Sequence, residues 1–437
     1  MPRLPAAVKA LGAVSLLTDV SSEMIYPLLP AFVTGTLRAG PAVLGAIEGL
    51  AEATASLVKL ASGRLSDRLP RRKPLVVAGY ALSSLARPLV ALATGAGHVL
   101  AIRLTDRLGK GVRGAPRDAI VAAVTPPALR GRAYGFQRAM DHTGAFAGPL
   151  IATALLALGF ELRTVFALAA VPGLAAVVVL VLAVREDPQG GQRAPAADAP
   201  DRSAAGGGSS AQPGNAGMAG AWAGGTGEML VATGAGLAGP EPATPATAPA
   251  LPPSFRAYLV VLALFTLGNS SDAFLLLRAQ QTGVGLWAIP LLWAFHHLVK
   301  ALASTHGGAL SDRLGRKPAI AAGFLVYALA YAGFAWATSP LQVFALFALY
   351  GLHHALCEGP ERALVADLAA DGARGRAFGA YHAVTGAMLL PASLLTGGLW
   401  QAFGAQAALL TGAALAGAAA IGLMVLVREA NAGHGSH

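Results

Sequence analysis

The sequence predicts an all-α polytopic membrane protein of two pseudo-symmetric six-helix bundles, and three observations carry that prediction. The first is composition: of 437 residues, 55% are hydrophobic and only 12% charged, whereas a soluble chain draws roughly a quarter of its residues from Asp, Glu, Lys and Arg. Mean hydropathy is correspondingly high, +0.57. The second is run length. Apolar stretches near the roughly 20 residues that span a bilayer recur about twelve times, most clearly over 165–184, 319–338 and 407–427. The third is repetition: GRLSDRLPRRKP at 63–74 returns as GALSDRLGRKP at 308–318, and RGRAYG at 130–135 returns as RGRAFG at 374–379. APRDAIVAAV at 115–124 likewise matches GPERALVADL at 359–368, and Ser21-Ser22-Glu23 parallels Ser270-Ser271-Asp272. A pattern recurring at corresponding places in two halves is an internal repeat, and paired six-span bundles around a cleft are one plan of membrane transporters.

The formal charge of +10 would suit nucleic acid, but its placement does not. Basic residues gather in alternate connections: 64–73, Arg130 and Arg132, Arg185, Arg256, 313–317, Arg374 and Arg376, and Arg428. The intervening connections at 94–97, 337–340 and 401–406 are nearly uncharged. This alternation predicts both termini and both copies of the repeated phrase on the cytoplasmic side of a bacterial inner membrane. Nucleic acid needs a contiguous basic face, so it is excluded as a partner.

Along the chain, the N-terminus MPRLPAAVKALGAVSLL superficially resembles a signal peptide, but Asp19 and Glu23 interrupt it and no small-residue cleavage site follows, so it is expected to be the first span. Asp19 and Glu23 stand four apart, on one helix face, as do Glu48 and Glu52 in span two, which also carries Lys59. Span four is the most charged: Arg103, Arg107 and Lys110 follow helical spacing, with Asp106 within one turn of Arg103 and Lys110. Span five holds Arg138, Asp141 and His142, expected to neutralise one another locally. Residues 186–254, rich in Gly, Ala, Pro and Ser, read as a disordered cytoplasmic linker. The expected domains are therefore an N-terminal bundle (1–185), this linker, a C-terminal bundle (255–430) and a cytoplasmic tail (431–437). Span seven contributes Asn269 and Asp272.

Ionisable groups at bilayer depth are expensive and mark functional candidates. Asp19, Glu23, Glu48, Glu52, Lys59, Arg103, Asp106, Arg107, Lys110, Asp141, Asn269 and Asp272 are thus expected to line a substrate cleft and couple it to protons. Acids outnumbering adjacent bases suit reversible proton binding better than a purely structural lock. His296, His297, His353, His354, Cys357 and Glu358 are candidate metal ligands, because His353/Cys357 and His354/Glu358 are spaced i,i+4; polar lining or helix packing is the alternative. The lone cysteine excludes an internal disulfide. No nucleophile–base pair or phosphate loop appears, which argues against an enzyme. No cofactor is expected, and a monomer is.

The repeated phrase resembles the loop motif of the major facilitator superfamily, Gly-x-x-x-Asp-Arg-x-Gly-Arg-Arg/Lys, placed between spans two and three and again between eight and nine. Gly63, Asp67, Arg68, Arg71 and Arg72 match in the first copy. Gly308, Asp312, Arg313, Gly315, Arg316 and Lys317 match in the second. Pro70 replaces the motif's Gly in the first copy, and proline cannot take a positive φ. The resemblance covers the chain apart from the linker and implies a secondary transporter whose loop charges latch a cytoplasmic gate, with Arg117 and Asp118 as expected partners. Arg107-x-x-Lys110-Gly111 resembles the family's Arg-x-x-Gln-Gly motif, with Lys at the Gln position. Gly144-x-x-x-Gly148-Pro149 resembles its antiporter motif, without the following Gly-Gly, and Tyr26-Pro27-Leu28-Leu29-Pro30 resembles a Pro-x-x-Pro element of twelve-span exporters. Together these imply proton-coupled efflux of a small molecule or drug. A transition-metal exporter, suggested also by the HGSH tail, and an organic-anion exchanger or importer clamped by Arg107 and Lys110 are the alternatives.

Overall fold

The computed structural model describes residues 4–69, 71–126, 129–184, 251–369 and 374–427. Within its helices, the side chains of several positions, among them Gly63, Asp67, Arg68, Gly308, Asp312 and Arg374, lie outside that description, as do Pro70, Arg185, residues 186–250 and the tail.

Among the described residues the fold is helical throughout, which is what apolar segments must adopt where lipid offers no hydrogen bonds to the backbone. In the first half, α1 (Ala6–Ile25) runs on irregularly to Thr36 and is followed by α2 (Pro41–Arg68). Next come α3 (Lys73–Leu92), α4 (Ala96–Val124), α5 (Arg130–Ala157) and α6 (Leu162–Ala183). In the second half, α7 (Pro253–Gln281) is interrupted at 269–272, and α8 (Ala288–Leu314), α9 (Arg316–Trp336) and α10 (Pro340–Leu368) follow. The helix Arg374–Leu426 breaks at Gly404, whose φ is 88°, into α11 (374–403) and α12 (405–426). The first helix of the second half begins at Pro253.

Seven helical stretches among the described residues are long and apolar enough to cross a membrane. The remaining long helices, α1, α4, α5 and α8, carry ionisable residues along their length. The molecule's outer surface is strongly apolar: Leu92 is 74% exposed, Leu182 73% and Leu341 81%. A soluble surface rarely leaves such extended apolar cover uncompensated, whereas lipid demands it.

Local chemistry explains the helix ends. Pro41 stands at the first turn of α2, where a missing N–H costs nothing. α10 opens with a capping box in which Ser339 accepts from Gln342 N and the Gln342 side chain accepts from Ser339 N. The Tyr26-Pro27-Leu28-Leu29-Pro30 stretch withholds two backbone donors, and there α1 passes through a 3₁₀ turn (Tyr26–Leu28) and a π turn (Phe32–Thr36). Gly315 joins α8 to α9 with φ 94°, the left-handed conformation that Pro70, at the matching place in the first copy, cannot adopt.

Within the first half, α1 packs on α5 and α6, and α4 on α2 and α3; within the second, α8 and α9 pack on α10, and α12 on α7 and α9. Between halves, α2 meets α11 and α5 meets α8, exchanging partners under the pseudo-twofold relation. The closest approaches lie at the end opposite the termini. There a Cβ on Gly45 would strike Ser393 O, and one on Gly397 would come within 2.9 Å of Pro41 O. Toward the other end, Lys59, Arg138, His142, Glu358 and His382 are exposed on α2, α5, α10 and α11.

Candidate functional site

The first half concentrates its buried charge between α1, α2, α3 and α4. Arg103 on α4 donates through Nη2 to both oxygens of Glu48 on α2, each at 2.9 Å, with Nε adding a bond at 3.1 Å. Asp106, one turn on, lies 3.7 Å from Arg103 and takes a 2.8 Å bond from Arg87 Nε. Arg87 also donates to the backbone oxygen of Thr18 on α1. At the next position of α4, Arg107 pairs with Glu52 at 3.0 Å. Arg113 donates to Ser83 and lies 4.4 Å over the Tyr80 ring. Charged donors satisfied by carboxylates in this way are held rigidly, because losing either partner would strand a buried charge.

These groups border a polar cavity of about 140 Å³ lined by Asp19, Ser22, Glu23, Tyr26, Glu52, Arg87, Arg103, Arg107, Lys110, Arg113 and, from the second half, Asp272. Of the twelve expected cleft residues, Asp19, Glu23, Glu52, Arg103, Arg107, Lys110 and Asp272 meet there, with Glu48 and Asp106 buried behind them as ion-pair partners. Lys110, though one turn from Asp106, makes no ion pair with it; it lines the cavity and has no ion-pair partner among the described residues. Lys59 is exposed and Asn269 ends the first part of α7; neither borders the cavity. The expected triad on α5 does not form: Arg138 and His142 are exposed, and Asp141 Oδ1 is buried without a hydrogen bond. The three positions share one helix face, but the Asp141 carboxylate turns in against α1 near Asp19, while the side chains of Arg138 and His142 stay exposed.

The halves close over the cavity through aromatic side chains. Trp293 Nε1 on α8 donates to Glu23 Oε2 at 2.8 Å, and its ring packs 5.5 Å from that of Tyr26. The Tyr26 hydroxyl reaches Ser271 at 3.4 Å. On the second half's wall, Tyr350 on α10 donates to Asp272 Oδ1 at 2.5 Å.

The antiporter-like segment is a packing surface. A Cβ on Gly144 would approach Leu16 O at 2.5 Å, one on Gly148 would approach Val20 O at 2.6 Å, and Pro149 sits within the helix. The glycines let α5 lie backbone to backbone against the stretch of α1 that carries Asp19 and Glu23.

Of the first copy of the repeated phrase, the side chains of Gly63, Asp67 and Arg68 lie outside the described residues, while Arg71 is exposed and Arg72 half-buried. Arg117 bonds its neighbour Asp118 at 3.1 Å and Ser15 on α1. In the second copy, Gly308 and Asp312 are likewise undescribed and Arg313 is exposed. Arg316 bonds Ser311 and stands 3.7 Å from Asp367 at the end of α10. Corresponding lysines bind corresponding carbonyls: Lys73 Nζ donates to Val181 O at the end of α6, and Lys317 Nζ to Met424 O at the end of α12. Each copy of the phrase therefore clasps the last helix of its own half.

The histidines pack rather than converge. His296 Nδ1 lies 3.2 Å from Phe347 O, and His353 Nδ1 lies 2.9 Å from Gly323 O and 3.5 Å from Cys357 Sγ. His296 also stacks on Tyr350, and His297 stands edge-on to Trp293. Among the described residues no three His, Cys, Asp or Glu side chains gather to hold a metal ion. The HGSH tail lies outside the description.

Several residues of this region were not anticipated. Arg87 had a signal, an arginine alone in the apolar run of span three. The buried Glu361, which accepts from the Tyr381 hydroxyl at 2.9 Å, had one too, an acid within the repeated GPERALVADL stretch; Trp293 and Tyr350 had none, because only tertiary packing turns them toward polar partners.

Comparison with known proteins agrees with this architecture. The Major Facilitator Superfamily profile matches residues 11–299 and 292–436. The uncharacterised MFS-type transporter MJ1317 of Methanocaldococcus jannaschii is 31% identical over 401 residues, 90% of this chain and 88% of that one. Multidrug resistance protein MdtH of Photorhabdus laumondii is 29% identical over 163 residues, 36% of this chain and 40% of that one. Among solved structures, a bacterial homologue of the human lysosomal transporter Spinster, inward-facing and unoccupied, superposes with a TM-score of 0.68 at 17% identity, covering 98% of this chain and 96% of that one. The chain belongs to the major facilitator superfamily of membrane transporters.

Proposed function

We propose that this transporter is a proton-coupled exporter of a small molecule, working by alternating access between two rocking halves. The observation that carries the reading is the cavity itself, where acids from α1, α2 and α7 face a basic stripe on α4 between the bundles. A carboxylate at such a place can hold a proton or a cationic group in turn, which is the exchange an antiporter needs. The tight contacts at the end opposite the termini, with exposed polar side chains at the other end, correspond to a state open toward the termini. The alternation of basic connections makes that side cytoplasmic. Partial similarity to a multidrug resistance protein supports efflux, and the twelve helices are all read as crossing the bacterial inner membrane.

A second reading, exchange or import of an organic anion, is favoured by one observation: Lys110 lines the cavity and has no ion-pair partner among the described residues. Flux of candidate compounds into proteoliposomes under an imposed pH gradient separates the two. Replacing Asp19, Glu52 and Asp272 by their amides abolishes gradient-driven flux if the exporter reading holds; flux indifferent to the gradient and to all three changes removes it. Lys110→Glu abolishes substrate binding while sparing proton coupling only under the anion reading.

A further inference from the structure

Four side chains of the second half form a line that the cavity and the gate phrases do not use fully. Tyr350 donates to Asp272 Oδ1 at the cavity wall. One turn along α10, His354 stands edge-on to the Tyr350 ring, centroids 5.0 Å apart. Another turn on, Glu358 Oε1 lies 3.5 Å from His354 Nδ1. The Glu358 side chain is 46% exposed and ion-paired with Lys300 of α8. Positions 350, 354 and 358 share one face of α10, so the line leads from the cavity to the exposed end of the molecule.

We propose that Asp272, Tyr350, His354 and Glu358 form the route by which a proton passes between the cavity and the termini-bearing side. The inference rests on the proton-coupled reading and gives it a path. In one passage the Tyr350 hydroxyl turns from Asp272 Oδ1 toward His354 and passes its proton to His354 Nε2, as the Asp272 carboxyl hands its own proton to the Tyr350 oxygen. The Nδ1 proton of His354 then moves to Glu358, which releases it to solvent. Tyr350 ends as it began, His354 ends as the other neutral tautomer, and Asp272 ends as a carboxylate, so charge and protons balance. The first and last links are within or near bonding distance. The Tyr350–His354 link is a ring contact, so reorientation of those rings sets the pace.

The neighbours fit a relay. His296 stacks on Tyr350 with centroids 5.1 Å apart and stands 5.5 Å from His354, bracing both rings. Tyr327 and Tyr331 of α9 flank Tyr350 on another side. Glu48 and Glu52 act on Asp272 from α2 across the cavity, Tyr26 on Tyr350 from α1, and His142 on Glu358 from α5.

The test follows the proton rather than an unidentified cargo. In full-length protein reconstituted in lipid, infrared difference spectra after a pH jump report the protonated carboxyl stretch, and loss of a band in Asp272→Asn assigns it. His354→Gln, Glu358→Gln and Tyr350→Phe, each eluting monodisperse, are expected to retain the Asp272 band but slow its relaxation by about a hundredfold, while Glu358→Asp restores it. An Asp272 band relaxing at the unaltered rate in all three variants overturns the route and leaves proton binding at Asp272 standing. Absence of any pH-sensitive Asp272 band in the unaltered protein overturns both.

Discussion

Arg103 and Glu48 share three hydrogen bonds between side chains that are 9% and 1% exposed, so neither can be neutralised alone without leaving the other stranded. Glu48→Gln should therefore destabilise the protein by about 3–5 kcal/mol, the usual cost of breaking a buried pair on one side, read as a lowered Tm in detergent. Glu52→Gln should cost clearly less, since the Glu52 side chain is 35% exposed to the cavity and water can replace its partner. At this scale helical spacing was a good guide to which charges would gather, because residues three and four apart share a face whatever surrounds them. It was a poor guide to who pairs with whom. Of its two neighbours on α4, Asp106 approaches Arg103 at 3.7 Å but not Lys110, and its shorter bond comes from Arg87 on α3, 19 positions away.

At the scale of elements, the glycine-lined flank of α5 and the clasping lysines do similar work: they keep each half stiff. Gly148→Leu would drive a side chain into the Val20 carbonyl, where a Cβ alone already stands 2.6 Å away, and must push α5 from α1. We expect loss of monodisperse protein on size exclusion, with Gly148→Ala intermediate; a well-behaved Gly148→Leu protein would contradict the packing described here. The helices themselves were legible from hydropathy and the repeat. The irregular end of α1 was visible only as Pro27 and Pro30, which announce missing donors but not whether the chain turns, kinks or passes into a π turn. The repeated phrase was legible as a motif, yet its lysines' grip on the ends of α6 and α12 was not, because those carbonyls lie 108 and 107 positions away.

For the whole molecule, the repeat at once implied two bundles, and the exchange of α2–α11 for α8–α5 contacts is its three-dimensional counterpart. Hydropathy alone was less complete, because the most charged helices are those that build the cavity. The central claim is that these halves rock about that cavity. Two pairs of spin labels in lipid, with Cys357 replaced by Ala, test it most directly. One pair, at Leu65→Cys and Leu310→Cys, occupies exposed sites toward the termini-bearing end, and the other, at Leu92→Cys and Leu341→Cys, occupies exposed sites toward the opposite end. Between acidic and alkaline buffer, the account predicts double electron–electron resonance distances that shift in opposite directions at the two ends. Distances that stay fixed, or that lengthen together, would contradict it.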